Sequence, residues 1–244
     1  MSKRLQFMGL NYDLFNKDET LSLIDKSIKL KDLPPIYRAD LNVATVVEAQ
    51  SNEFIKEYIN GAEIVNIDGS GVLLGCHLLS KSAPARITGV DLFGELLQKG
   101  DKEKYSIYFL GATEEVIQKV INKVRISYPN IVIAGYRNGY FSENDPIVVN
   151  DIKDASPDIL FIGMKSPEKE LFTFKNLKYL NTRVIIGVGG TFDVFVGKVK
   201  RAPIWIQNIG FEWLYRVYQE PKRMWKRYVK SNTKYLFLLL KGDK

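Results

Sequence analysis

An acidic residue followed by glycines at the end of an apolar run is the first place in this chain where chemistry could sit. Glu63-Ile64-Val65-Asn66-Ile67 reads as a strand, and Asp68-Gly69-Ser70-Gly71 closes it before a helix that runs through Leu79. Open α/β sheets bind ligands outside the carboxyl ends of their strands, so a carboxylate there lies where a ligand would sit. The same residues suit a plain helix cap, with Asp68 or Ser70 accepting from the first free N–H groups. Both readings stay open. Four later strand-like runs end at or near glycine, at Gly111, at Gly135 and Gly139, at Gly163, and at Gly189-Gly190. Glycines at such ends leave backbone open to a phosphate, as a nucleotide site requires. No G-x-G-x-x-G or Walker pattern is present, so neither a dinucleotide nor an ATP site is indicated.

The elements that must position these residues alternate regularly. A helix is expected over Glu19 to Leu30, a strand over Tyr37 to Asn42, and a helix from about Thr45 to Ile59. After Arg86 and a helix from about Asp91 to Gln98, strands are expected at Ser106 to Leu110, Ile131 to Ala134, Ile159 to Gly163 and Arg183 to Val188. Helices fall between them, at Glu114 to Ser127, at roughly Pro146 to Lys153 and after Pro167, and a further one carries Phe192 and Asp193. This pattern predicts an α/β fold with a Rossmann-like parallel sheet flanked by helices. Residues 1–36 carry only a weak signal, a polar start and one helix before Pro34-Pro35.

Length and composition leave room for this fold and narrow the chemistry. The 244 residues are 45% hydrophobic and 26% charged, enough for one large α/β domain with a sizeable core. One cysteine, Cys76, cannot form an intrachain disulfide, and one histidine, His77, lies beside it on an apolar helical run. A histidine-based metal site would therefore need every other ligand from elsewhere, and neither a metal nor a cofactor is expected. No run approaches the ~18 apolar residues of a membrane span, and the first residues lack the apolar core of a secretion signal.

The net charge of +7 belongs to the end of the chain. Nine of the 35 basic and two of the 28 acidic residues lie from Arg216 onward, which leaves 26 of each sign before it. Past Pro221, which interrupts a helix, Arg223, Lys226, Arg227 and Lys230 share one helix face, and Met224, Trp225, Tyr228 and Val229 take another. Tyr235 to Leu240 adds an apolar run too short to span a bilayer. A basic face beside an aromatic face suits an interfacial helix on an anionic membrane, and it also suits a helix packed on the domain with a wet basic side. Residues 1–215 are expected to form the α/β domain, with a nucleotide-sugar-binding half at about 105–200, and residues 216–244 a basic helical appendage. A nucleic-acid binder with a basic tail is an alternative, although no nucleic-acid-binding module accompanies the charge, and no nucleic-acid partner is expected.

Four linked segments carry a family resemblance: Gly187 to Asp193 (GVGGTFD), Gly197 to Pro203 (GKVKRAP), Gly210 to Arg216 (GFEWLYR), and Glu220 to Tyr228 (EPKRMWKRY). In this order they resemble the C-terminal signature of the WecG/TagA/CpsF glycosyltransferases. The resemblance covers roughly residues 37–235. It implies inverting, metal-independent transfer of a sugar from a UDP-sugar to a polyprenyl-diphosphate-linked sugar, peripherally on the cytoplasmic face of a bacterial cell membrane, and leaves a homo-oligomer open. The family's T-x-N falls on Asp40-Leu41-Asn42, the suspected general base on Asp68, and its following arginine on Arg86. Its G-x-G-x-P-x-Q-E becomes Gly163 to Glu170, with Lys165 for the second glycine and Lys169 for the glutamine. Asp68, Asp40, Asn42 and Arg86 are thus the catalytic candidates. Gly111, Gly139, Gly163, Lys169, Gly189, Gly190, Phe192, Asp193, Arg216, Arg223 and Arg227 are the substrate-binding ones. Transfer needs a base for the acceptor hydroxyl and positive charge for the departing diphosphate. Arg86, Arg216, Arg223 and Arg227 could supply the latter, their guanidinium geometry suiting phosphate oxygens. Asp40, Lys165 and Lys169 place charge where the family has neutral residues, which is the case for a diverged sugar-nucleotide binder or for an altered donor choice.

Overall fold

The chain begins with a hairpin that its polar start did not announce. β1 (Arg4–Phe7) and β2 (Leu10–Asp13) pair antiparallel around Met8 and Gly9, both at positive φ (52° and 74°). Both central residues lie in the left-handed region, which matches the twist of a two-residue hairpin. The alternation of Leu5, Phe7, Leu10 and Tyr12 is too short to stand out, yet Phe7, Leu10 and Tyr12 are fully buried. The computed structural model describes residues 4–30, 34–142 and 145–242, the side chains of Arg223 and Arg227 excepted.

The remaining order is α1 (Lys17–Lys29), β3 (Ile36–Leu41), α2 (Val43–Ala49), α3 (Glu53–Gly61), β4 (Ile64–Ile67), α4 (Ser70–Leu78), α5 (Gly89–Glu103), β5 (Ser106–Gly111), α6 (Glu114–Ser127), β6 (Val132–Arg137), α7 (Pro146–Ala155), β7 (Ile159–Gly163), α8 (Glu168–Asn176), β8 (Val184–Gly187), α9 (Thr191–Phe195), α10 (Ile204–Asn208), α11 (Glu212–Gln219) and α12 (Pro221–Lys241). Two expected helices need correction. The helix expected over Thr45 to Ile59 is two, because Asn52 interrupts the run and its side chain accepts from the Ile55 N–H to start α3. The helix expected from Asp91 to Gln98 extends from Gly89 to Glu103, since Gly100 does not end it but packs against Ile107 and Ile131.

β3 to β8 form one six-stranded parallel sheet in the order β4-β3-β8-β7-β5-β6, so the fold is the expected α/β sheet flanked by helices. Side chains alternate between its faces. Ala39, Leu41, Ile67, Leu160 and Ile185 pack with α2, α3, α4, α7 and α8 and with the hairpin, while Ile107, Phe109, Phe161 and Ile186 pack with α1, α5, α6 and α9. β3 and β8 are neighbours, but β3 leads to α2 on one face and β8 to α9 on the other. Adjacent strands that diverge in this way open a crevice at their carboxyl ends.

α12 is a 21-residue helix with Pro221 in its first turn, where a missing N–H costs nothing. It buries Met224, Ser231 and Tyr235. Tyr235 joins the core that holds Phe7, and its hydroxyl donates to the Gly71 carbonyl at 3.0 Å. No helix among the described residues is long and apolar enough to cross a membrane.

Candidate active site

All the parallel strands end on one rim, and the candidate residues line it in a fixed sequence. Asp68 follows β4, Asp40 and Asn42 end β3, Gly189 and Gly190 follow β8, Gly163 ends β7, Gly111 ends β5, and Gly139 follows β6. At roughly 4.8 Å per strand, the ends of β4 and β5 are about 19 Å apart. The two halves of the rim differ sharply in chemistry.

The β4–β3 half holds a cluster of charge. Lys169 of α8 places its ammonium 3.1 Å from Asp40 Oδ1 and 2.5 Å from Glu170 Oε1, and these three side chains are nearly buried. Asp40 Oδ2 accepts from Asn42 Nδ2 at 2.9 Å. Asn42 Oδ1 accepts from the Ala44 and Thr45 N–H groups, which makes Asn42 the cap of α2 and explains why that helix starts there. Arg38, mid-strand and 1% exposed, donates from Nε to Asn66 Oδ1 at 3.1 Å and from Nη2 to the Ile87 carbonyl at 2.9 Å. Its Nη1 stands 4.0 Å from Asp40 and has no hydrogen-bond partner among the described residues.

This arrangement drives the two aspartates apart. Burial would raise Asp40, but the Lys169 ammonium and then Arg38 outweigh it and hold its carboxyl below the ordinary range. Lys169 is held above its ordinary value, as the Asp40 and Glu170 carboxylates overcome its burial. For Asp68, burial and then the Asp40 charge push the carboxyl up to about 6, against the pull of Arg38, Arg86 and the Gly89 N–H. Asp68 is therefore ionised at neutral pH but close enough to its midpoint to exchange a proton. Neighbouring acids whose surroundings separate them in this way are suited to acid–base work.

Arg86 is next to this cluster and is already paired, with Nη2 3.0 Å from Glu212 Oε2 of α11. Arg201 grips Asp91 with both terminal nitrogens at 2.6 and 2.9 Å, and its Nε lies 3.7 Å from Glu212. Two of the four signature segments thus reach the rim through charged side chains, one through Arg201 and the other through Glu212 and Arg216. Arg216 reaches the turn after β8. Gly189 takes φ +52° there, and a Cβ on Gly190 would stand only 2.7 Å from Arg216 Nη2. The paired glycines are therefore explained separately, one by backbone angle and the other by the arginine above it.

The β7–β5–β6 half is close-packed and nearly free of charge. An added Cβ at Gly111 would collide with the Gly163 backbone, and one at Gly139 would stand 3.1 Å from Gly111 Cα. The Ala112 N–H donates to the Gly163 carbonyl, and the Gly139 N–H to that of Ala112. Phe192 occupies the space that a Gly163 side chain would need, within a group of rings that includes Phe93 and Phe109. At 0% exposure it shapes the turn after β8 from beneath, and touches no open surface. Asp193 pairs with Lys198 at 3.1 Å. Lys165 is exposed and pairs with Glu168 at 3.0 Å, away from the buried cluster. Arg223 and Arg227 lie on α12, and their side chains fall outside the described residues.

Of the residues singled out in sequence, Asp40, Asn42 and Lys169 lie in contact with one another and Asp68 lies beside them, whereas Arg38, Asn66 and Glu212, which also meet here, were not singled out. The available signal for Arg38 was a basic residue inside the apolar strand Ile36–Leu41. Among the described residues no group of three or more His, Cys, Asp or Glu side chains is arranged to hold a metal ion.

A buried acid–base cluster and an arginine-tied turn, on the rim of a doubly covered parallel sheet, describe a group-transfer enzyme. The chain belongs to the WecG/TagA/CpsF glycosyl transferase family, whose model matches residues 5–244, and it is a glycosyltransferase. It is similar to proteins named N-acetylglucosaminyldiphosphoundecaprenol N-acetyl-beta-D-mannosaminyltransferase. With the one from Bacillus subtilis strain 168 it shares 38% identity over 188 residues, 77% of this chain and 72% of that protein. With the one from Bacillus spizizenii it shares 36% over 197 residues, 81% and 76% of the two chains. The Staphylococcus aureus MW2 protein is 28% identical over 241 residues, 99% and 94% of the two chains.

Proposed function

We propose that this enzyme transfers N-acetylmannosamine, or a closely related hexose, from a UDP-sugar to a polyprenyl-diphosphate-linked N-acetylglucosamine, with inversion and without a metal. The observation that carries the reading is Asp68, an acid raised to about 6 on the crevice rim beside Arg86. The acceptor hydroxyl attacks the anomeric carbon of the donor sugar as its proton passes to the Asp68 carboxylate. The bond from that carbon to the diphosphate oxygen breaks, and the electron pair leaves with UDP. Arg216 over the Gly189-Gly190 turn, and Arg86 once Glu212 yields to a stronger anion, meet the departing charge. Arg223 and Arg227 are proposed to join them from α12.

A lipid-linked acceptor requires a surface that meets the bilayer. Trp205, Tyr218, Trp225, Phe237 and Leu240 are exposed along α10 to α12, with Lys222, Lys226, Lys230 and Lys234 also exposed on α12. Apolar side chains with lysines among them suit peripheral attachment to anionic lipid on the inner face of the cell membrane. Only part of the aromatic face expected from sequence is free for this. Trp225 is 60% exposed, whereas Tyr228 packs on Trp213 at 5.5 Å.

The test supplies UDP-N-acetylmannosamine and a short-chain polyprenyl-diphosphate N-acetylglucosamine, and follows both UDP release and the disaccharide lipid. Coupled formation of the two supports the reading. Donor binding with no turnover on any lipid-linked acceptor would replace it with a diverged sugar-nucleotide binder.

A further inference from the structure

Lys169 does not point from its helix into open solvent. Its stem crosses β8 at Gly187, where an added Cβ would meet Lys169 Cδ at 3.0 Å, and its ammonium reaches Asp40 on the next strand, β3. Asp40 holds Asn42 through the 2.9 Å bond from Nδ2. Asn42 in turn packs on the residue after the proposed base, since a Cβ on Gly69 would stand 3.2 Å from Asn42 Cβ. Contacts therefore run from α8 through β3 to the Asp68-Gly69 backbone.

We propose that Asp40 and Lys169 form a single ion-pair unit that positions Asp68 for catalysis: Lys169 keeps Asp40 a fixed anion, and Asp40 fixes Asn42 and the charge that Asp68 faces. The proposal rests on the transferase reading of Asp68. At 9% and 7% exposure, Asp40 and Lys169 offer little surface to a bound sugar, so the unit acts through its neighbours. It also unites two departures from the family pattern that look independent in sequence. Threonine to aspartate and glutamine to lysine together add no net charge. Asp40 without Lys169 would be a buried carboxylate with only Arg38, 4.0 Å away, to offset it, which proteins tolerate poorly, whereas Lys169 without Asp40 would keep Glu170.

The groups that face Asp68 are Asp40 and Arg38 from β3, Arg86 from the loop before α5, the Gly89 N–H of α5, and Arg201 from the segment before α10. Lys169, Glu170 and Tyr58 face Asp40 from behind. Among the groups that face Asp68, the Asp40 charge raises it, so removing that charge should lower the Asp68 midpoint.

Two experiments decide the matter. In the first, the Asp68 carboxyl carbon is titrated by NMR in the full chain and in Asp40→Asn, with Asp68→Asn providing the assignment. A fall of about 1 unit or more from the starting midpoint is expected. An unmoved midpoint in a folded Asp40→Asn protein overturns the proposal. The second is a cycle of Lys169→Gln, Asp40→Thr and the double variant, read by thermal unfolding and by transfer rate. Lys169→Gln alone should lose the most, and adding Asp40→Thr should restore much of it, leaving the double variant about 10-fold above the product of the single effects. A Lys169→Gln protein that fails to fold while the double variant folds shows the same coupling, and additive effects in both readouts overturn it. The titration and the unfolding cycle need no substrate. An absence of transfer in the unaltered protein would therefore end the transferase reading and still leave the ion-pair unit to be judged.

Discussion

The two halves of the rim solve opposite problems with the same backbone geometry. At β4 and β3, charged side chains are kept out of water and held by one another, and a single carboxyl, Asp68, is left poised at about 6. At β7, β5 and β6, glycines remove side chains altogether and let three loops close on each other and on Phe192. One half holds a carboxyl in surroundings that resist its charge, and the other leaves no room for a side chain. A transferase needs both, since a base must change protonation while the donor it serves stays in place.

The comparison is broken most severely by Asp68→Asn. Loss of the proposed base should lower kcat by about 10² to 10⁴. The fold should gain at the same time. A carboxyl raised above its unfolded value makes folding less favourable as pH rises from about 4 to about 6, and that cost persists at neutral pH. Thermal unfolding of Asp68→Asn at pH 7 should therefore occur higher by roughly 2–4 °C for each ~1 kcal/mol recovered. A lower unfolding temperature would show that the charge is not stored there.

The pH dependence of the unaltered enzyme sharpens the same point. Below about 6 Asp68 gains its proton, so if it is the base, as proposed, kcat should fall about tenfold per unit. A flat profile from pH 5 to 7, with chemistry rate-limiting, would move the base elsewhere.

The glycine half should answer in stability alone. Gly163→Ala forces a methyl group into the buried Phe192 ring, with an expected cost of about 1–3 kcal/mol in denaturant unfolding and no movement of the pH profile. Gly190→Ala meets only the mobile end of Arg216, so stability should barely change while the donor KM rises a few-fold as that arginine is displaced. If Gly190→Ala unfolds the protein instead, the turn is structural and Arg216 is not a substrate group. The smallest effect is expected far from the rim, on α12. Exchanging Lys226 or Lys230 for glutamine should weaken binding to anionic vesicles by about 1 kcal/mol each at low salt, and by less as salt rises. Indifference to both exchanges would leave α12 as a packed helix with a wet basic side.

The sheet was readable from sequence because its strands are short, apolar and bounded by glycine, signals that depend on neighbours in the chain. The hairpin at Arg4–Asp13 was not, because four-residue strands give too few alternations and the Met8-Gly9 turn lacks the usual asparagine or aspartate. The site divides in the same way. Asn42 is marked only by the motif it matches, whereas Asp68 announces itself as a strand end. Arg38 does not, because a basic residue in a strand looks the same whether it faces water or Asn66 and Asp40, and only the packing of α1, α5 and β4 around it decides. The Asp40–Lys169 pair spans 129 positions, and no local pattern can reveal that two unusual charges neutralise each other.

The pairing of β3 with β8 also governs how the protein is made. Ile36, Tyr37 and Arg38 align with Val184, Ile185 and Ile186, so the centre of the sheet cannot close on a growing chain until more than three quarters of these residues have been synthesised. The crevice between those strands comes into being at the same moment, and Tyr235 seals α12 onto Phe7 only afterwards. Contacts so distant in sequence make for slow folding and leave the early hairpin and β4 exposed while they wait. The apolar side chains of α12 proposed to meet the bilayer are thus displayed last, on a helix whose inner face completes the core through Tyr235.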